Sequence, residues 1–277
     1  MNNSDSNKTF KPKQALAPTP QLYDELVGDG IENLAEAGSV LLDLGCGTGA
    51  GTSAIVGVVP SDTASAISIK GIDINEAALE LYKKKAGEHG WPAQAIKGDV
   101  GKLEGVADAS ISHAIGTALL FVLPEDGVPA VKEAYRTLKP GGAVAFNSWA
   151  YVPTMNPIRA ASRQTRPEGT PEIRGGLDKW EDAAFLKSAI GKGGFIDISL
   201  VQRDVYVTTT SLDRYATMLW SFIGGTTGVG WLESDEDKWD EAVDIVKAEL
   251  RKTDGCEELE GGRLKLKFVA HIVVATK

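Results

Sequence analysis

The chain has 277 residues, 43% of them apolar and 24% charged, enough to bury the core of one large α/β domain. Its net charge of -9, with no block of Lys or Arg, argues against a partner with a phosphate backbone. No apolar run approaches the roughly 20 residues of a membrane span. Cys46 and Cys256 lie far apart with no metal-ligand spacing, so no metal is expected and a reducing, cytoplasmic compartment fits.

Residues 1–20 are rich in Asn, Ser, Lys and Pro and read as a disordered tail, not a signal peptide. Residues 21–36 carry Leu22, Leu26, Ile31 and Leu34 at rough helical spacing. The apolar run 39–44 is a buried strand, closed by Gly45-Cys46-Gly47-Thr48-Gly49 and followed by a helix over 50–59. Strands are then expected at 66–73, 93–96, 109–115 and 143–149. Helices are expected at 76–89, with Asn75 as N-cap, and at 125–138, stopped by Pro140-Gly141-Gly142. Strands alternating with helices imply βαβ units, hence a mostly parallel sheet with helices on both faces.

After Trp149 the rhythm breaks. Residues 151–179 hold Pro153, Pro157, Pro167 and Pro171 and read as loop with short helical pieces. The core pattern returns with a helix over 181–192 and a strand over 196–207. A second excursion covers 212–223, a Gly/Thr-rich turn at 224–230 and a helix at 235–251, before a last strand at 263–276. The expected organisation is one domain over 21–277, with a core at about 37–149 and a small helical cap built from about 151–180 and 211–252.

A glycine turn between strand and helix lets backbone approach a ligand closely, and the helix N-terminus behind it offers unpaired N–H groups. Asp73, at the tip of the second strand, suits both hydroxyls of a ribose. These two features alone do not choose between NAD and S-adenosylmethionine. Gly45 to Ala50 even satisfies the loose dinucleotide fingerprint, so an NAD-dependent oxidoreductase stands as an alternative.

Four ordered segments do choose. Leu42-Asp43-Leu44-Gly45-Cys46-Gly47-Thr48-Gly49 resembles the first motif of class I S-adenosylmethionine-dependent methyltransferases. Gly71-Ile72-Asp73 resembles the second motif, Gly98-Asp99-Val100 the adenine-contacting segment, and Leu138-Lys139-Pro140-Gly141-Gly142 the turn before the fifth strand. The resemblance implies a Rossmann-like, seven-stranded α/β fold with S-adenosylmethionine as cofactor. It implies that Asp43, Gly45, Cys46 and Gly47 hold the methionine end and Asp73 the ribose. Ile74 and Val100 would flank the adenine, Asp99 would accept from its amine, and Tyr23 would close over the cofactor. The late excursions resemble those of stand-alone methyltransferases of secondary metabolism, so the partner expected is a small-molecule acceptor methylated on O, N or S. A relative that binds the cofactor without transferring methyl is the other reading.

Methyl transfer has no obligatory catalytic motif, because the carbon is already activated. His113, near the end of the fourth strand, has three readings: general base, a residue lining the site, which the resemblance places against the cofactor's methionine end or the substrate, or a hydrogen-bonded structural histidine. Trp149, Tyr151, Met155, Met218, Trp220 and Phe222 form an apolar, aromatic set suited to a flat acceptor, or else the cap's own core.

Overall fold

The computed structural model describes residues 38–221, 223 and 230–277. The helix expected over 21–36, with Tyr23, and also Phe222 lie outside the described residues. The strands are β1 (Val40–Leu44), β2 (Ser68–Asp73), β3 (Ala93–Lys97), β4 (Ile111–Gly116), β5 (Leu138–Tyr151), β6 (Asp197–Thr208), β7 (Cys256–Leu259) and β8 (Arg263–Thr276). The helices are α1 (Ala50–Val58), α2 (Ser61–Ala66), α3 (Glu76–His89), α4 (Val128–Thr137), α5 (Met155–Thr165), α6 (Ala183–Lys192), α7 (Leu212–Ser221), α8 (Glu233–Asp237) and α9 (Trp239–Lys252). None is long and apolar enough to cross a membrane.

Tertiary contacts divide the described chain into two units. The first takes in 38–151, Asp178–Val205 and Val269–Lys277. The second takes in Val152–Leu177 and Tyr206–Phe268, so it reaches further along the chain than the expected excursion at 211–252.

The first unit is a Rossmann-like sheet in the order β3-β2-β1-β4-β5-β8-β6. Pairs β1–β2, β2–β3, β1–β4 and β4–β5 are parallel, and β5–β8 is antiparallel. In β1, Leu41, Leu42, Asp43 and Leu44 are all buried, which is why the strand reads as a continuous apolar run instead of alternating. The strand order reverses between β1 and β4, and in such sheets ligands bind beyond the carboxyl ends at that reversal. Register places Asp43 opposite Gly71 on one side and Ile115 on the other, so the glycine turn and Asp73 share that edge. Asn75 caps α3 as expected, its Oδ1 accepting from the N–H groups of Ala77 and Ala78.

Several expectations are corrected. The sheet has eight strands, not seven. The extra one, β7, is a short hairpin arm on β8 whose Glu257 and Glu258 are exposed, so it carries no apolar alternation to read. Helix α2 buries none of its residues and left no periodic signal. Residues 155–165 form the regular helix α5 where loop with only short helical pieces was expected. Pro157 sits in its first turn, where the missing N–H breaks no intrahelical bond. The single helix expected at 235–251 is two, α8 and α9, broken at Lys238.

In the second unit, α9 turns Ala242, Val246 and Leu250 inward and packs on α5 and α7. An ion pair between Arg166 and Asp235, both side chains wholly buried, ties this unit together. Arg166 Nε and Nη2 each donate to the Asp235 carboxylate at 2.8 Å, and the carboxylate also accepts the Leu232 N–H at 2.8 Å. Removing one partner strands the other charge in the interior. Arg166→Met is expected to lower stability by about 3–5 kcal/mol, while Arg166→Met with Asp235→Leu regains most of it. Urea denaturation of both variants is the check; equal losses would mean that the pair is not the source of the penalty.

Candidate active site

The glycine turn after β1 runs through left-handed backbone at Gly45, Gly47 and Gly49. Gly49, at φ 90°, is the N-cap of α1, and a Cβ there would lie 2.7 Å from Trp91 Cζ3. Only glycine both turns and packs at that point. At Gly47, φ 51°, a Cβ would meet nothing within 4 Å, so the backbone there faces open space.

No side chain caps α1 from Gly49. Asp43 supplies the missing acceptor from the preceding strand. Its carboxylate takes the Thr52 hydroxyl at 2.7 Å and the Thr52 backbone N–H, in the helix's first turn. Because Thr52 spends its proton on Asp43, the Tyr82 hydroxyl, 2.8 Å away, donates to Thr52. Tyr82 is fully buried and fills the space beside Gly71, where a Cβ would lie 2.6 Å from its ring. Burial lifts the Asp43 carboxyl to about 6, against the hydrogen bonds from Thr52, with nearby Asp73 adding a smaller upward push. The sequence reading aimed Asp43 at the methionine end of the cofactor. Within the chain its direct partner is Thr52 of α1, so it also orients the helix behind the turn. Thr52 and Tyr82 were not singled out from sequence; a hydroxyl nine residues past Asp43 is the signal that was available.

Asp73 is half-buried at the end of β2. Its Oδ2 accepts the Gly47 N–H and its Oδ1 the Asn75 N–H, each at 2.8 Å. An ionised carboxylate has about four acceptor positions, so capacity remains for two hydroxyl donors. Ile74 beside it is 72% exposed, a large apolar side chain held in solvent. Asp99 is exposed, accepts the Gly101 N–H at 2.8 Å, and with Ile72, Ile96 and Leu103 borders a pocket of about 200 Å³. Val100 is buried. Cys46 is buried within the turn, and burial raises its thiol well above the ordinary range, which makes it inert.

His113 was expected near the end of its strand. It lies instead in the middle of β4, opposite Leu41 and Ala143, while β4 runs on to Gly116. That is two residues behind the level of Asp43, about 7 Å along the strand. Trp149 and Tyr151 are half-buried near the end of β5. In the second unit Met155 and Met218 are half-buried. Trp220 is completely buried, its Nε1 donating to the Asp235 carbonyl at 3.2 Å. It belongs to that unit's interior, which corrects its placement in a pocket lining.

Residues 41–142, the stretch holding Asp43, the glycine turn, Asp73 and Asp99, match the family described as a methyltransferase domain. This stretch of the chain is a methyltransferase domain of the S-adenosylmethionine-dependent kind. This methyltransferase is similar to methyltransferase ktnA of Aspergillus niger, 25% identical over 99% of this chain and 96% of the relative. It is also similar to methyltransferase tpcH of Aspergillus fumigatus, 22% identical over 82% of each chain. The fold is shared with the YcgJ protein of Bacillus subtilis, at a TM-score of 0.55 and 15% identity over 87% of this chain and 93% of that one.

S-adenosylmethionine is the cofactor of this methyltransferase, and the donor set fits it. The open backbone at Gly47, the spare acceptor capacity of Asp73 and the exposed carboxylate of Asp99 suit a ligand rich in hydroxyl and amine donors and positively charged at sulfur. They suit an anionic pyrophosphate poorly.

The elevated Asp43 carboxyl has a consequence for pH. The folded protein holds this proton up to about 6, the unfolded chain only to 3.8. Stability from the protonated form is therefore complete below 3.8 and is lost as pH rises to about 6. The shift corresponds to about 3 kcal/mol. Asp43→Asn, which still accepts from Thr52, is expected to lack this decline when unfolding free energies are compared at pH 4 and pH 7. Parallel profiles for variant and parent would show that Asp43 titrates normally.

Proposed function

We propose that this methyltransferase moves the methyl group of S-adenosylmethionine to an oxygen, nitrogen or sulfur atom of a small-molecule acceptor in the cytoplasm. The observation that carries the reading is Asp73, fixed by the N–H groups of Gly47 and Asn75 with acceptor capacity left for a ribose diol. The net charge of -9 supports a metabolite over a nucleic acid.

In this reading Asp73 binds the ribose hydroxyls and Asp99 accepts from the adenine amine. Ile74 and Val100 flank the ring. Backbone at Gly45, Cys46 and Gly47 meets the methionine end, and Asp43 acts through α1 by fixing the turn. Bound S-adenosylmethionine supplies an electrophilic methyl group on a positively charged sulfur. The chain's task is then alignment and exclusion of water. Trp149 and Tyr151, near the end of β5, remain side chains proposed for the acceptor. His113, set back in mid-strand, is proposed not to be the base.

Asp73→Ala is expected to weaken S-adenosylmethionine binding about 10- to 100-fold in calorimetry, the loss of charge-assisted hydrogen bonds to the ribose. Undiminished affinity would remove the ribose role. His113→Ala is expected to leave the rate constant within about threefold of the parent when labelled methyl transfer to a small-molecule cell extract is followed. A loss of about a hundredfold or more would restore His113 as the base.

A further inference from the structure

A turn at Glu172, Ile173 and Arg174 in the second unit holds a cation that no carboxylate among the described residues neutralises. Arg174 has φ 55°, left-handed backbone at a residue with a Cβ, although Gly175 and Gly176 follow immediately. Such a conformation persists when its surroundings over-determine it. Here they do. Arg159, buried on α5, donates from Nε to the Ile173 carbonyl and from Nη2 to the Arg174 carbonyl, each at 3.3 Å. The Gly175 N–H returns to the Glu172 carbonyl at 3.2 Å, and the Leu177 N–H to the Arg174 carbonyl at 3.3 Å.

Carboxylates nearby are committed elsewhere. Glu172 bonds Arg163 and faces Arg159 Nε at 3.8 Å. Among the described residues no carboxylate lies within ion-pair distance of the Arg174 guanidinium. Arg174 is half-buried, and burial, reinforced by the charge of Arg159, holds it below the usual arginine range. A desolvated, unpaired cation beside a second cation is unfavourable in a folded protein. In the same unit Arg166 meets the Asp235 carboxylate through two 2.8 Å bonds, so an arginine without a carboxylate is not the rule here.

We propose that Arg174 and its turn form a recognition site for the carboxylate of a small molecule. A planar guanidinium binds a carboxylate through two parallel N–H···O bonds, and the rigid turn removes most of the ordering cost. Arg174 is half-buried, not sealed from solvent as Arg166 is. As an anion site it stands on the turn alone and does not depend on the function proposed above.

The test titrates the full-length protein with benzoate and with benzamide, its uncharged counterpart, followed by ligand-observed NMR. Benzoate is expected to bind the parent in the millimolar range and to lose about tenfold or more in Arg174→Gln. Benzamide is expected not to bind. Arg174→Lys, which keeps the charge and loses the fork, should fall between. The melting temperature of Arg174→Gln should stay level or rise, because the removed charge had no partner. Unchanged benzoate binding in Arg174→Gln, no benzoate binding by the parent, or a lowered melting temperature with benzoate affinity retained would each overturn the site. Preferential binding of inorganic phosphate would overturn the carboxylate assignment. S-adenosylmethionine affinity measured on the same samples is independent: its absence would sink the proposed function and leave the benzoate result readable.

Discussion

Burial of the Asp43 carboxylate against the first turn of α1 is unfavourable for its charge, which is why its pKa climbs to about 6. The structure retains it because the glycine turn has no other means of fixing the helix behind it. Gly49 supplies the left-handed N-cap but no acceptor, so the N–H and hydroxyl of Thr52 turn to Asp43. Tyr82 then completes the hydrogen bonding of Thr52, and Tyr82 can reach it only because Gly71 and Gly49 lack side chains. Gly49, Thr52, Gly71 and Tyr82 are thereby tied to one carboxylate. A residue that resembles a ligand-binding acid is, in its direct contacts, the N-terminal cap of a helix.

From that anchor the cofactor edge follows. With α1 fixed, the turn presents the Gly47 N–H to Asp73, and Asp73 also receives Asn75, whose side chain caps α3. One carboxylate thus joins the turn after β1 to the start of the helix after β2. Asp43 and Asp73 are close enough for each to feel the other's charge, so adding a third negative charge at this edge would meet repulsion. A cationic ligand relieves that repulsion. The preference for a sulfonium over a pyrophosphate is in this sense electrostatic before it is a matter of shape.

Much of this was legible in sequence, for identifiable reasons. The run at 40–44 had to be a doubly buried strand, and Asn75 ahead of an amphipathic stretch had to be a cap. Asp73 was legible because an acid at a strand tip leaves few other roles. What escaped reading lacked a periodic signal or depended on a distant partner. Helix α2 and strand β7 bury too little to show a pattern. Pro157 was read as a breaker, although in a first turn it breaks nothing. His113 looked terminal because the strand's end was placed one residue early and its register against Leu41 is invisible in one dimension. Trp220 looked like a pocket residue because its partner, the Asp235 carbonyl, lies fifteen positions away.

Two arginines of the second unit show how context divides structural from functional charge. Arg166 and Arg174 stand eight positions apart and share a chemistry. Arg166 is sealed from solvent, and a bidentate carboxylate meets it with additional donors completing that carboxylate's shell. Its charge is matched within the chain and closed to solvent, so no incoming anion can reach it. Arg174 keeps part of its surface in water, and its backbone is fixed by Arg159 while its charge is left unmatched. Selection for stability alone would favour a glycine at that left-handed position and an uncharged side chain against Arg159. The unfavourable choice at both levels, backbone and charge, is the pattern expected where stability is exchanged for recognition.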